Sequence, residues 1–168
     1  MTVGFTEPDG FHHRLYRVGA PDLSGQTAQT TGMTRVEAIS GTTVGSSGLW
    51  MGQTHVSPST SSANHHHGKS ETGIYVVSGH PEFVFFDDSD PDVEPVETRV
   101  RTGPGDYIYV PPWVPHREEN PDPNEEAVVV IARNTQEAIV VNLPDLRWVG
   151  PIATGRREPP KGRDWRNY

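Results

Sequence analysis

Four side chains in this sequence have the types and spacing of a metal-binding set. His65 and His67 stand two residues apart, Glu71 follows them, and His116 lies about fifty residues farther along. Residues two apart in a β-strand face the same side, so His65 and His67 are expected to point into one cavity while His66 points away. Imidazole nitrogens together with a carboxylate oxygen suit Fe(II), Mn(II), Ni(II), Cu(II) or Zn(II) and leave coordination positions open for water or substrate.

The sequence lacks the residues and motifs of several other classes of protein. The chain has no cysteine, which excludes disulfides, thiolate metal ligands and cysteine nucleophiles. It has no Gly-x-Ser-x-Gly, no Gly-x4-Gly-Lys-Ser/Thr and no Gly-x-Gly-x-x-Gly pattern. The net charge of −8 argues against nucleic acid as a partner. The longest apolar run, residues 127–132, is too short to cross a membrane, and the first ten residues do not resemble a signal peptide, so we expect a cytoplasmic protein.

The elements that position these residues are predicted to be short strands. Segments rich in Val, Ile, Tyr and Phe recur about every ten residues, separated by Gly, Pro, Asp and Asn. They are residues 34–40, 49–56, 73–78, 82–86, 96–101, 107–110, 127–132 and 138–142. With 17 Gly, 16 Pro and no sustained helical period, the 168 residues do not form a helical bundle. Eight short strands predict an all-β sandwich or barrel.

Two arms flank the predicted barrel. Residues 1–32 are polar and rich in Gly, Pro, Ser and Thr, residues 33–146 carry the strands, and residues 147–168 form a second arm. From Pro151 to Tyr168 the net charge is +3, so the remainder of the chain carries −11. We therefore expect a basic arm on an acidic body.

Two stretches of the chain resemble the two motifs of the cupin family. Residues 65–79, HHHGKSETGIYVVSG, are similar to the first motif, His-x-His-x3-Glu followed by a strand and a Gly turn. Residues 105–120, GDYIYVPPWVPHREEN, are similar to the second, Gly-x5-Pro-x-Gly-x2-His-x3-Asn. The resemblance covers about residues 33–143. It implies a single jelly-roll barrel, or double-stranded β-helix, with extended arms, and a metal held by His65, His67, Glu71 and His116.

Two positions depart from these motifs. Seven residues rather than six separate Glu71 from Gly79, and one extra residue in a strand reverses the face of the residues beyond it. Either a bulge absorbs this residue, or Glu71 is not a ligand and three histidines hold the metal. Trp113 stands where the second motif has Gly, so that turn is expected to avoid a positive φ.

The resemblance implies a metal-dependent enzyme whose small, oxygen-rich or carboxylate-bearing substrate chelates the metal. Fe(II) and dioxygenase chemistry are the first expectation, because histidine-rich sites with open positions suit O2 activation and the pocket walls read as apolar. A non-oxidative isomerase, decarboxylase or lyase, zinc-dependent nitrogen–nitrogen bond formation, and a non-catalytic small-molecule binder are the alternatives. Cupin barrels commonly pair by adding arm strands to a neighbour's sheet, so a homodimer is expected.

Several further side chains are candidates for the site or for the core. Those proposed to act beside the metal are Glu71, Tyr75, Gln53 and Glu118. Arg117 and Arg133 are candidates to pair with a substrate carboxylate, although an outward salt bridge is the commoner role of such residues. Most of the strand aromatics are expected in the barrel core, namely Trp50, Tyr75, Phe83, Phe85, Tyr107 and Tyr109.

Overall fold

A computed structural model of the chain describes residues 14–87, 92, 96–146 and 152–154. Most of both predicted arms therefore lies outside the described residues. The described part contains one 3-10 turn (Ala20–Asp22) and twelve strands, and no helix long and apolar enough to span a membrane. The strands are β1 (Met33–Ile39), β2 (Trp50–Val56), β3 (Thr60–Ser61), β4 (His65–His66), β5 (Thr72–Ser78), β6 (Glu82–Asp87), β7 (Val96–Arg101), β8 (Tyr107–Val110), β9 (His116–Asn120), β10 (Ala127–Arg133), β11 (Val141–Asn142) and β12 (Ile152–Thr154).

These strands form two sheets. The first has five strands in the order β1-β2-β10-β5-β8. The second has seven, in the order β11-β4-β9-β6-β7-β12, with β3 also pairing with β9. Neighbours in these sheets are antiparallel except β12, which lies parallel to β7. Strands distant in sequence lie side by side, as β2 and β10 do, and the predicted all-β jelly-roll barrel is confirmed.

The core follows the period of two expected of strands with one buried face. On β10, Ala127, Val129, Ile131 and Arg133 are buried and the residues between them are less so. A cluster of buried apolar side chains fills the barrel: Trp50, Ile74, Val76, Phe83, Val110, Val129 and Ile131. Burial of each larger member contributes about 1.5–3 kcal/mol. Gly52 is required beside Trp50, because a Cβ there would lie 2.6 Å from the indole ring and 2.2 Å from a backbone oxygen.

The expectation that the strand aromatics pack in the core is wrong for three tyrosines. Tyr107, Tyr109 and Tyr75 are 81%, 60% and 37% exposed, whereas Trp50 and Phe83 are buried. The tyrosines occupy the outward-facing positions of β5 and β8, where the ring of Tyr75 packs on that of Tyr107 and the hydroxyl of Tyr109 donates to Glu71.

Strand β9 was not among the strands predicted from the sequence. Its five residues, His-Arg-Glu-Glu-Asn, are all polar. Its inward positions are taken by His116, Glu118 and Asn120, which are buried, while the side chains of Arg117 and Glu119 form ion pairs. An apolar alternation cannot reveal a strand whose inner and outer faces are both polar.

Candidate metal centre

Three buried histidines meet inside the barrel. His65, His67 and His116 are at most 3% exposed, and one ligand nitrogen from each lies within 4.8 Å of the others. Strand pairing produces this arrangement, because His65 on β4 lies directly opposite His116 on β9. His67 follows β4 two residues after His65, so it returns to the same side of the wall. The structure thus brings together the three histidines proposed as ligands.

The second ring nitrogen of each histidine is held by a neighbour. Nδ1 of His65 lies 3.0 Å from the carbonyl oxygen of Ala63, and Nδ1 of His116 lies 3.0 Å from that of Val114. A carbonyl only accepts, so Nδ1 carries the hydrogen and Nε2 keeps a free lone pair. Nδ1 of His67 lies 2.9 Å from Oγ1 of Thr72. Outer contacts of this kind orient imidazoles for metal binding.

The free nitrogens fit a metal ion. Nε2 of His65, His67 and His116 is buried in each case and has no hydrogen-bond partner. Burial, followed by the nearby positive charges, lowers the pKa of His65 to about 3 and that of His116 to about 4, and it lowers the pKa of His67 further. All three rings are therefore neutral at pH 7, as a divalent metal requires of its imidazole ligands.

Glu71, proposed as the fourth ligand, is not part of this group. Its carboxylate is exposed, accepts a hydrogen bond from the hydroxyl of Tyr109 at 2.9 Å and another from the amide of Asn134 at 2.9 Å. Among the described residues, the group of side chains close enough together to hold a metal consists of the three histidines and includes no carboxylate. The geometry therefore matches the alternative in which three histidines hold the metal.

Strand register explains why Glu71 faces outward. In the cupin motif, six residues separate the carboxylate from the Gly of the turn. In this chain Thr72 is the residue at that distance from Gly79, and Thr72 is buried. A bulge is present in β5, but it lies between Val76 and Ser78, opposite Val128 and Val129. It therefore does not alter the face of the residues before it, and Thr72 takes the inward position.

Of the residues proposed to act beside the metal, one faces the interior. Gln53 and Tyr75 alternate with buried residues on β2 and β5 and point away from the core. Glu118 is 1% exposed, follows His116 by two residues, and neither of its carboxyl oxygens has a hydrogen-bond partner. Burial raises its pKa, although Arg35 and Arg133 act in the opposite direction.

The two arginines considered for substrate binding have opposite positions. Arg117 faces outward, 3.0 Å from Glu97 and 2.6 Å from Glu119. Arg133 is 1% exposed and faces the interior. Arg35, on β1, is equally buried and was missed by the sequence analysis. The sequence around Arg35, with Thr34 on one side and Val36 on the other, does not indicate which face of β1 is buried.

Trp113 adopts the conformation that the sequence analysis expected it to avoid. Its φ is +67°, in the left-handed region that favours Gly, and its ring is 63% exposed. Its backbone N–H donates to the carbonyl of Gly68 at 2.8 Å, and its ring packs against that of His66. The tertiary contact between the two motifs thus imposes the turn, even without Gly.

Comparison with known proteins agrees with this architecture. The family model described as "Cupin domain" matches residues 52–132. The polyketide cyclase RemF from Streptomyces resistomycificus superposes with a TM-score of 0.59 at 22% identity, over 77% of this chain and 86% of that one. Oxalate decarboxylase from Bacillus subtilis gives 0.58 at 20% identity, over 70% of this chain and 29% of that one.

An oxalate oxidase superposes with a TM-score of 0.58 at 18% identity, over 72% of this chain and 60% of its own. This chain therefore spans less than a third of the bacterial oxalate decarboxylase and most of the polyketide cyclase. A search of curated protein sequences found no significant match. Residues 52–132, which carry most of the strands and both cupin-like motifs, thus form a cupin domain.

Proposed function

We propose that this protein is a metal-dependent enzyme that binds a divalent transition metal on His65, His67 and His116. The observation that carries the proposal is the convergence of three buried, unpartnered Nε2 atoms within 4.8 Å. Leaving a buried polar atom without a partner costs about 1–3 kcal/mol. Three such atoms at one point are accounted for when a cation takes all three lone pairs.

Dioxygenase chemistry on Fe(II) is the form of catalysis that we propose first. Three histidines leave open positions for a chelating substrate and for O2, and bound Fe(II) supplies both Lewis acidity and electrons for O2 chemistry. The chain's own part is to keep water out and to manage protons. Trp50 and Ile131 belong to the apolar cluster inside the barrel, and the role that we propose for the buried, unpartnered carboxyl of Glu118 is to hold or accept a substrate proton.

A non-oxidative reaction is the second candidate. The observation that favours it is the match in size to a polyketide cyclase, 86% of whose chain is covered. With Zn(II), Mn(II) or Ni(II), the same three histidines would support Lewis-acid chemistry such as cyclisation, decarboxylation or nitrogen–nitrogen bond formation. We favour catalysis over non-catalytic binding, because a metal held by three histidines keeps coordination positions open for a reacting molecule.

The substrate that we propose is a small molecule with a carboxylate or paired oxygens. Two of the structural relatives are named for their action on oxalate, a small carboxylate. The interior of this barrel also holds two buried arginines, which suit an anion.

Metal content tests the proposed function. Untagged protein purified anaerobically without chelator is expected to contain about one metal ion per chain, and His116→Ala is expected to contain almost none. His66→Ala is the matched control, because His66 points away from the three ligands and should leave the content unchanged. Absence of metal from the wild type, or equal content in all three proteins, would overturn the proposal.

The kind of metal and its reactivity then separate the two candidate reactions. Iron in the isolated protein, together with an electron paramagnetic resonance signal when the ferrous protein is mixed with nitric oxide, would support the dioxygenase form. Zinc, manganese or nickel, with no oxygen uptake by the iron-reconstituted protein in the presence of small carboxylic acids, would support the non-oxidative form.

A further inference from the structure

Three charged side chains are buried in the barrel without satisfying one another. Arg35, Arg133 and Glu118 are each at most 1% exposed. Nε of Arg35, Nε and one terminal nitrogen of Arg133, and both carboxyl oxygens of Glu118 have no hydrogen-bond partner. In the described part of the chain, no ion pair of 4.0 Å or less joins these three groups. These buried polar atoms therefore lack the partners that buried polar atoms normally have.

Strand register places Arg133 and Glu118 beside the metal centre. Arg133 lies opposite Thr72 in the pairing of β10 with β5, and Thr72 contacts His67. Glu118 follows His116 by two residues on β9, so both face the interior. The charge of Arg133 also acts on all three histidines.

Each guanidinium is held by hydrogen bonds and keeps at least one nitrogen without a partner. Arg133 donates from one terminal nitrogen to the carbonyl of Ile139 at 3.0 Å, and its guanidinium carbon lies 5.4 Å from the ring centre of Trp50. Arg35 donates from one terminal nitrogen to the carbonyl of Ala28 and from the other to Oγ1 of Thr30 at 3.4 Å, so its Nε is the nitrogen without a partner. These contacts hold the groups in place while leaving N–H donors unused, which is how a preorganised anion site is built.

The charge balance of the interior calls for an anion. The buried charged side chains in the described residues are Arg35, Arg133, Glu37, Asp87 and Glu118. The three histidines are neutral and contribute no charge. A divalent cation bound to them would add two positive charges. Even with all three carboxyls ionised, the interior then carries a net charge of +1. Buried charge without a counter-ion is costly, and one bound carboxylate would remove the excess.

We propose that Arg133 and Arg35 form an anion-binding subsite beside the three-histidine centre, and that it receives the carboxylate of the substrate. The assignment deepens the proposed function and rests on it for the nature of the neighbouring metal. The planar guanidinium offers parallel N–H donors that match the two oxygens of a carboxylate, whereas a neutral amide lacks the charge. The subsite would thus select an acid over its amide and hold it next to the open metal positions.

Acetate and acetamide are the probes of this subsite, since they have similar shape and differ in charge. Isothermal titration at constant ionic strength is carried out on the Zn(II)-loaded full-length chain and on the metal-free chain. Wild type is expected to bind acetate and to bind acetamide at least about tenfold more weakly. This comparison needs no variant, so it does not depend on a substituted barrel folding.

Substitutions then assign the binding to the two arginines. Arg133→Leu and Arg35→Leu are each expected to weaken acetate binding about tenfold or more, with Arg133→Lys in between. Arg101→Leu is the matched control, because Arg101 is mostly exposed, and its removal should leave the affinity unchanged. Circular dichroism confirms that each variant is folded.

The outcomes separate this inference from the proposed function. If Zn(II) binds but acetate binds no better than acetamide, or binds equally to wild type and both Leu variants, the subsite is overturned and the metal proposal stands. If Zn(II) does not bind, the metal proposal fails. In that case the metal-free chain decides: acetate binding that is lost in the Leu variants upholds the subsite, and unchanged or absent binding overturns it.

Discussion

Nδ1 of His67 lies 2.9 Å from the hydroxyl oxygen of Thr72, while the neighbouring Glu71 points out of the barrel. Thr72 thus occupies the inward position that a carboxylate ligand would take. Its hydroxyl contacts Nδ1 of His67, the ring nitrogen that does not face the metal site. In the tautomer that leaves Nε2 free for metal, Nδ1 of His67 carries the hydrogen and donates it to Thr72. Thr72 therefore orients a ligand instead of being one.

Replacing Thr72 by Val is expected to weaken metal binding about 10–100-fold, because His67 loses the contact that sets its tautomer and ring orientation. Thr72→Ser keeps a hydroxyl and should retain most of the affinity. Competition between the protein and a chromophoric chelator for Zn(II) measures both. An affinity of Thr72→Val equal to that of wild type would show that the hydroxyl does not support His67.

Replacing Glu71 by Gln is expected to leave the metal content unchanged, because its carboxylate is exposed and hydrogen-bonded to Tyr109 and Asn134. The same metal analysis on His67→Ala should show almost complete loss. If Glu71→Gln also loses its metal, the carboxylate swings inward when metal binds, and the four-ligand set applies.

At Trp113, glycine is expected to give a more stable protein than alanine. The φ of +67° costs a residue with a side chain about 1–2 kcal/mol, and glycine escapes this cost. Part of the gain is offset, because glycine also makes the unfolded chain more flexible. We expect Trp113→Gly to exceed Trp113→Ala by about 1 kcal/mol in the free energy of unfolding, measured with urea. Equal stabilities would mean that the turn relaxes to a negative φ.

Acid is expected to remove the contribution of Glu119 to stability. Burial alone would raise the pKa of this carboxyl, but hydrogen bonds from Arg99 and Arg117 outweigh burial and hold the pKa below its ordinary value. A lowered folded-state pKa means that the contribution is complete above the unfolded-state pKa, near 4.5, and is lost as pH falls through the folded value.

The difference in free energy of unfolding between wild type and Glu119→Gln should therefore be largest at neutral pH and shrink below pH of about 4.5. Urea unfolding at a series of pH values measures this difference. Asp106→Asn, a change on the surface of the loop before β8, is the reference for general effects of charge. A difference that stays constant into acid would contradict the ion-pair account.

A homodimer remains our expectation for the oligomeric state. Strand β8 forms one edge of the first sheet, and such an edge can offer unpaired backbone groups to a second copy, whereas the outer edge of β1 bonds to Ser24 and Gln29. Sedimentation velocity at micromolar concentration is expected to give twice the mass of the 18.5 kDa chain. A monomer under those conditions would contradict this prediction.

The sequence by itself determined much of this protein. The predicted segments 34–40, 49–56 and 96–101 match strands β1, β2 and β7 to within a residue at each end. Short runs rich in apolar and β-branched residues, bounded by Gly and Pro, suffice to locate these strands. The two-residue spacing predicted that His65 and His67 share a face, and the resemblance to the second cupin motif singled out His116 as their partner.

Only the tertiary structure decided which neighbours of those histidines face inward. Glu71 and Thr72 exchange sides according to where the bulge in β5 falls, and the pairing with β10 determines that position. Arg35 and Glu118 are polar and buried, so the inner faces of β1 and β9 give no apolar signal. Strand β10 is apolar on both faces, so its sequence does not show which way Arg133 points. The inner face of a strand depends on register with partners distant in sequence, and where the interior itself is polar, hydrophobic alternation cannot report it.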